Sequence, residues 1–178
     1  MTGNEARRDH AINTPNAYFH PMKIQFWSIG KQHEAYVKGG IEEFSNRITK
    51  YYSIQWKIIP PPKNAASLNE TELKKKEASI VISMLSKDDY LVSLDERGRS
   101  FDSKQLAGFI ETRAGEGVKQ MIFLIGGAYG IDEIVIKRAN LVWSLSSLTF
   151  PHQLVRLILA VQVYRACTIS RNEKYHHA

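Results

Sequence analysis

Two hydrophobic periods take turns along this chain. Met22-Lys23-Ile24-Gln25-Phe26-Trp27-Ser28-Ile29 alternates and stops at Gly30, which reads as a strand ended by a turn residue. From His33 to Tyr51, Tyr36, Val37, Ile41, Phe44 and Ile48 recur at helical spacing, with Gly39-Gly40 as a weak point. Ile54 to Ile59 alternates again and is halted by Pro60-Pro61-Pro62. Ser67, with Glu70 three residues on, predicts a capped helix whose apolar side is Leu73, Ile80, Val81, Met84 and Leu85. Asp89 to Leu94 is a third strand, and it runs into a charged turn, Asp95-Glu96-Arg97-Gly98-Arg99. Asp102 caps a helix over 103–114 that Gly115 to Gly117 ends. A fourth strand over 121–125, a short helix over 132–140 and a fifth strand over 141–145 follow. The last helix runs from Pro151 to about Thr168, with Thr149 ahead of it and proline in its first turn. Its apolar set is Leu154, Leu157, Ile158, Val161 and Tyr164, wide enough for the sheet and for a second subunit.

Strands alternating with helices imply parallel strands joined by right-handed crossovers, hence an α/β sandwich. Strands four and five each end in small or polar residues and lead into a helix, an arrangement that builds a ligand cleft at the carboxyl edge of the sheet. Residues 1–21 are polar, lack an apolar period and are expected to form a disordered N-terminal extension with no secretory character. No linker divides 22–178, which is expected to be one domain.

With 43% hydrophobic and 24% charged residues, the composition is that of a soluble globular chain, and no run approaches the roughly 20 apolar residues of a membrane span. Cys167 is the only cysteine, which excludes an intramolecular disulfide and fits a reducing compartment. The net charge of +6 leans towards a polyanionic partner. Lys74-Lys75-Lys76 reads either as a solvated face or as an RNA-contacting one.

Gly126-Gly127-Ala128-Tyr129-Gly130 follows a strand, where glycine permits close ligand approach or simply a tight turn. It has neither the G-x-G-x-x-G spacing of a dinucleotide site nor the Gly-Lys-Ser/Thr of a phosphate loop, which disfavours a nucleotide-dependent oxidoreductase. The loop Leu145-Ser146-Ser147-Leu148-Thr149-Phe150 either offers backbone groups to a purine or is a buried connection whose hydroxyls satisfy their own backbone. His152 and Arg156, four apart, share a face of the last helix. Asp95 and Glu96 qualify for acid–base work by position alone. Tyr175-His176-His177 lacks the further ligands and frame of a metal site, so no metal is expected.

Together these stretches carry a resemblance. Leu94-Asp95-Glu96-Arg97-Gly98, Ile125 to Gly130, Ser144 to Thr149, Pro151-His152-Gln153-Leu154-Val155-Arg156, Tyr164-Arg165-Ala166 and Tyr175-His176 occur in this order, from a start at Met22. The pattern resembles the bacterial ribosomal RNA large-subunit methyltransferase H family of the SPOUT class. The resemblance implies a mostly parallel five-to-six-stranded sheet flanked by helices, with a C-terminal trefoil knot. It implies a cytoplasmic homodimer that uses S-adenosylmethionine to methylate N3 of a pseudouridine in helix 69 of 23S ribosomal RNA, on the assembled 70S ribosome. Carried over motif by motif, the cofactor pocket is Leu94, Gly126, Leu145, Ser146, Ser147, Leu148, Thr149 and Phe150. His152, Arg156, Tyr175 and His176, with His177 beside them, lie near the methyl-transfer site, His176 as base and Arg156 or Arg165 steadying an anion. Val161 stands where relatives commonly carry glutamate, and Lys174 where proline usually precedes Tyr-His. The alternative is a non-catalytic ribosome-binding or assembly factor of the same fold.

Overall fold

A computed structural model describes residues 21–174. The expectations for the N-terminal extension and for Tyr175, His176 and His177 lie outside these residues. The chain order is β1 (Lys23–Ile29), α1 (Ala35–Ile48), β2 (Ser53–Ile59), a 3-10 turn (Ala65–Ser67), α2 (Glu70–Met84), β3 (Tyr90–Ser100), α3 (Ser103–Gly115), β4 (Gln120–Ile125), α4 (Glu133–Arg138), β5 (Leu141–Ser144) and α5 (His152–Ser170). The five strands form one sheet in the order β2-β1-β4-β3-β5, with every pairing parallel.

A parallel sheet must be covered on both faces, and strand alternation deals each face its own core. Ile24 and Phe26 of β1, with Met121, Phe123 and Ile125 of β4, point to the side of α1, α3 and α5. Trp27 and Ile29, with Ile122 and Leu124, point to the opposite side, under α2 and α4. Helix α5 packs against both α1 and α3. Its buried stripe is Arg156, Leu159, Ala160, Val163, Ala166, Cys167 and Thr168. This corrects the apolar set read from the sequence: Leu154, Leu157, Ile158, Val161 and Tyr164 are only half-buried. The small Ala160, Ala166 and Cys167 mark the side that approaches the other elements most closely, and hydrophobicity alone does not report that.

Three boundary expectations change for local reasons. Helix α2 is capped by Asn69, which accepts from Glu72 N while the Glu72 carboxylate accepts from Asn69 N; Ser67 closes the preceding 3-10 turn instead. The stretch read as a charged turn, Asp95 to Arg99, is extended: β3 carries an irregularity between Leu94 and Arg99, then pairs again with β5 through Arg99–Trp143 and Ser100–Ser144. Pro151 occupies the N-cap of α5 without a side-chain cap, so Thr149 does not start the helix. The Asp102 cap is as expected, completed by Gln105.

Two glycines allow close approach of neighbouring elements. At Gly40, inside an unbroken α1, an added Cβ would fall 2.8 Å from Leu157 Cδ1 of α5, so the weak point in the pattern is a helix crossing. At Gly98 a Cβ would fall 2.6 Å from the Val142 carbonyl and 2.7 Å from Trp143 N, which are backbone atoms with no freedom to yield. Gly98→Ala is therefore expected to lower the unfolding free energy by about 1–3 kcal/mol, the usual range for overpacking. Chemical denaturation checks this; an unchanged midpoint contradicts the close approach.

Candidate cofactor cleft

The middle of β3, where its pairing with β4 ends, and the carboxyl ends of β4 and β5 open onto a cleft of ≈ 280 Å³. Leu94, Asp95 and Glu96 wall it from β3. Ile125, Gly126 and the turn from Ala128 to Ile131 wall it from β4. Leu145, Ser146, Leu148, Thr149 and Phe150 descend from β5, and His152 and Val155 close it from the first turns of α5. Seven of the eight residues carried over as cofactor pocket thus share one cleft, together with His152. Ser147 is exposed and is not part of the wall.

Each wall has a local cause. Gly130 N donates to Gly127 O at 3.0 Å, and Gly130 holds φ +82, a value that side chains disfavour. The glycine run is therefore both a tight turn and a cleft wall. At Gly126 a Cβ would fall 2.6 Å from Ile131 Cγ1 and 3.0 Å from the Gly130 carbonyl. A side chain there would displace the turn before it plugged the cleft. In the next loop, Ser144 Oγ donates to Ser146 O and Ser146 Oγ accepts from Leu148 N, both at 3.0 Å. The serines satisfy their own backbone, and in doing so hold Leu148 out, 68% exposed at the cleft mouth. Tyr129, 52% exposed, is the facing lip. At the rim, Arg97 donates to both Asp95 carboxylate oxygens at 2.8 and 2.9 Å, and these bonds hold the carboxyl below its usual range. Ala128 to Ile131 and Val155 escaped residue-by-residue reading; the glycine run was the signal for the former, and nothing in the sequence marks the latter.

Arg156 is elsewhere. It is 1% exposed and does not line the cleft. Its Nε donates to Ser28 Oγ at 2.9 Å, and its Nη1 lies 3.2 Å from His33 Nδ1 and 3.3 Å from Gln153 Oε1. Gln153 in turn accepts from Glu34 N and donates to Gln32 O, both at 3.1 Å. Ser28 sits on the face of β1 that Ile24 and Phe26 fill with carbon, so it is the small hydroxyl in an apolar row that accepts the guanidinium. Among the described residues no carboxylate reaches salt-bridge distance of Arg156. Burial lowers its pKa, and the cation in turn lowers its neighbours. Burial first and Arg156 second push down both His33 and His152. Because Arg156 can only donate, His33 Nδ1 is an acceptor and the ring is neutral.

Residues 22–176 match the family model described as "Predicted SPOUT methyltransferase". A protein from Bordetella pertussis Tohama I described as a probable methyltransferase shares the fold, with a TM-score of 0.50 at 11% identity over 83% of this chain and 96% of that one. Among curated relatives, one from Cytophaga hutchinsonii is 43% identical, covering 88% of this chain and 100% of its own. One from Parabacteroides distasonis is 42% identical, covering 88% and 99%. Both carry the name "Ribosomal RNA large subunit methyltransferase H". The chain belongs to this family of SPOUT methyltransferases.

Stability should fall on acidification through the Arg156 network. A histidine with a depressed folded-state pKa binds protons less readily than the unfolded chain, so stability rises with pH in that window and is lost as pH falls below about 6.5. His33→Asn keeps an acceptor for Arg156 and removes the titration. Melting curves between pH 7.5 and 5.5 should show a smaller loss in this variant than in the parent. Equal losses would exclude His33 from the effect.

Proposed function

We propose that this chain uses S-adenosylmethionine to methylate N3 of a pseudouridine in helix 69 of 23S ribosomal RNA, acting as a cytoplasmic homodimer on the assembled 70S ribosome. The observation that carries this reading is the convergence of the Leu94, Gly126 and Leu145–Phe150 motifs on one cleft in a chain so similar to relatives of that name. The lining fits the cofactor chemically. Leu94, Ile125, Leu145, Leu148, Phe150 and Val155 offer apolar walls to an adenosine and a thioether stem, and Asp95 and Glu96 put carboxylates at the rim beside a cation. S-adenosylmethionine supplies an activated methyl on a sulfonium, so alignment is the larger part of the protein's task.

The target imide must lose a proton, and His152 is a cleft histidine held neutral, able to accept one at a ring nitrogen. His176 is the base that the resemblance implies, with Tyr175 beside it near the methyl-transfer site. The half-buried Leu154, Ile158 and Val161 on α5 support the dimer. The course of α5, which leaves the edge strand β5 and returns between α1 and α3, supports a trefoil knot in this segment.

Labelled S-adenosylmethionine mixed with ribosomes that lack the modification should place label on the helix 69 pseudouridine. Cofactor binding and ribosome binding without transfer would favour the non-catalytic factor. Ala128→Trp, which fills the cleft from an exposed wall position, should weaken S-adenosylmethionine binding at least tenfold with an unchanged Tm. Unchanged affinity in calorimetry would refute the pocket assignment. Truncation after Asn172 should spare cofactor binding and abolish transfer; an active truncation would remove the tail from the chemistry.

A further inference from the structure

Away from the cofactor cleft, a shallow groove of ≈ 410 Å³ runs between α3 and the β3/β5 edge of the sheet. Arginines and aromatic rings alternate along it. Arg99 lies over the Phe101 ring at 5.0 Å, and Phe101 stacks on Phe109 at 5.4 Å with 27° between the planes. Phe109 meets Tyr90 at 5.9 Å, and Arg113 lies over both rings, at 5.8 and 5.7 Å. Core packing explains part of this, since Phe101 also meets the buried Trp143. It does not explain the exposed Arg99, the absence of any acidic residue from the groove lining, or the bare wall at Gly108, where an added Cβ would meet nothing within 4 Å. Arg113 pairs with Glu116 through Nη1 at 3.0 Å, while its Nε is buried with no acceptor among the described residues.

We propose that this groove is a second RNA-binding site, taking one unpaired nucleotide of the substrate with its base on the aromatic ladder and its phosphate between Arg99 and Arg113. It rests on the RNA methyltransferase reading and extends it to how substrate is held. The chemistry fits a nucleotide: every base has a π-face that stacks on aromatic rings, arginine adds cation–π contact, and phosphate pairs with guanidinium. The net charge of +6 supplies the long-range attraction.

The test uses the full chain, ribosomes lacking the modification, and two variants on opposite walls. Arg99→Glu reverses an exposed charge; Gly108→Trp fills open space on α3 without backbone strain. Each should raise KM for ribosomes about tenfold while kcat, S-adenosylmethionine affinity and Tm stay at parental values, and Arg99→Glu should flatten the salt dependence of ribosome binding by about one phosphate contact. Parental KM in both variants overturns the proposal while leaving the methyltransferase reading intact. So does a change of oligomeric state on size exclusion, which would make the groove a contact between copies of this chain. Absence of transfer by the parent protein overturns the methyltransferase reading, and this proposal with it.

Discussion

The structure turns on one buried cation. Arg156 stands in the inward stripe of α5, where the next positions are leucine, alanine and valine, and it has no carboxylate within ion-pair distance among the described residues. Burying a guanidinium costs several kcal/mol unless its donors are met. Here Nε is met by Ser28 on β1, and Nη1 by His33 in the β1–α1 loop and Gln153 one turn back. All lie on the α5 side of the sheet, so satisfying the charge fixes where α5 begins. The cleft depends on that position, because His152 and Val155 form its wall and the Leu145–Phe150 loop is the tether between β5 and α5. Burial first and the same cation second lower the pKa of two nearby histidines, which links the anchoring of α5 to the protonation of the cleft.

Close backbone approach completes the frame. Gly98 lets the far end of β3 rejoin β5 beyond its irregularity, which keeps the Leu94–Glu96 corner open to the cleft between two paired segments. Gly40 lets α1 meet α5 at Leu157, one turn beyond the start fixed by Arg156. The result is a cleft whose three loops are each held from behind by strand pairing, a glycine contact or a serine satisfying its own backbone.

Much of this was legible in the residues. Strand alternation with helical segments gave five parallel strands, and the Asp102 cap was readable because capping is local. The motifs in mid-β3 and after β4 and β5 were readable as one cleft because neighbouring parallel strands end their pairing together. What failed was long-range. The strand beyond Asp95 looked like a charged turn because its partner, β5, lies over forty residues on. The inward face of α5 was misplaced because the closest packing uses Ala160, Ala166 and Cys167, while larger apolar residues stay half-exposed. Arg156 looked like a residue for anions, since an arginine in a polar motif gives no sign of lying in the core. The Ser28 that receives it reads as an ordinary interruption in a strand.

The most direct test of this account is S-adenosylmethionine binding by Arg156→Met, measured calorimetrically on a variant whose fold is verified by circular dichroism. Methionine keeps much of the volume while removing the charge and every donor. If Arg156 fixes the start of α5 and so shapes the cleft, the folded variant should lose at least tenfold in affinity. Parental affinity would show that the cleft stands without this anchor, and would contradict the account at its base.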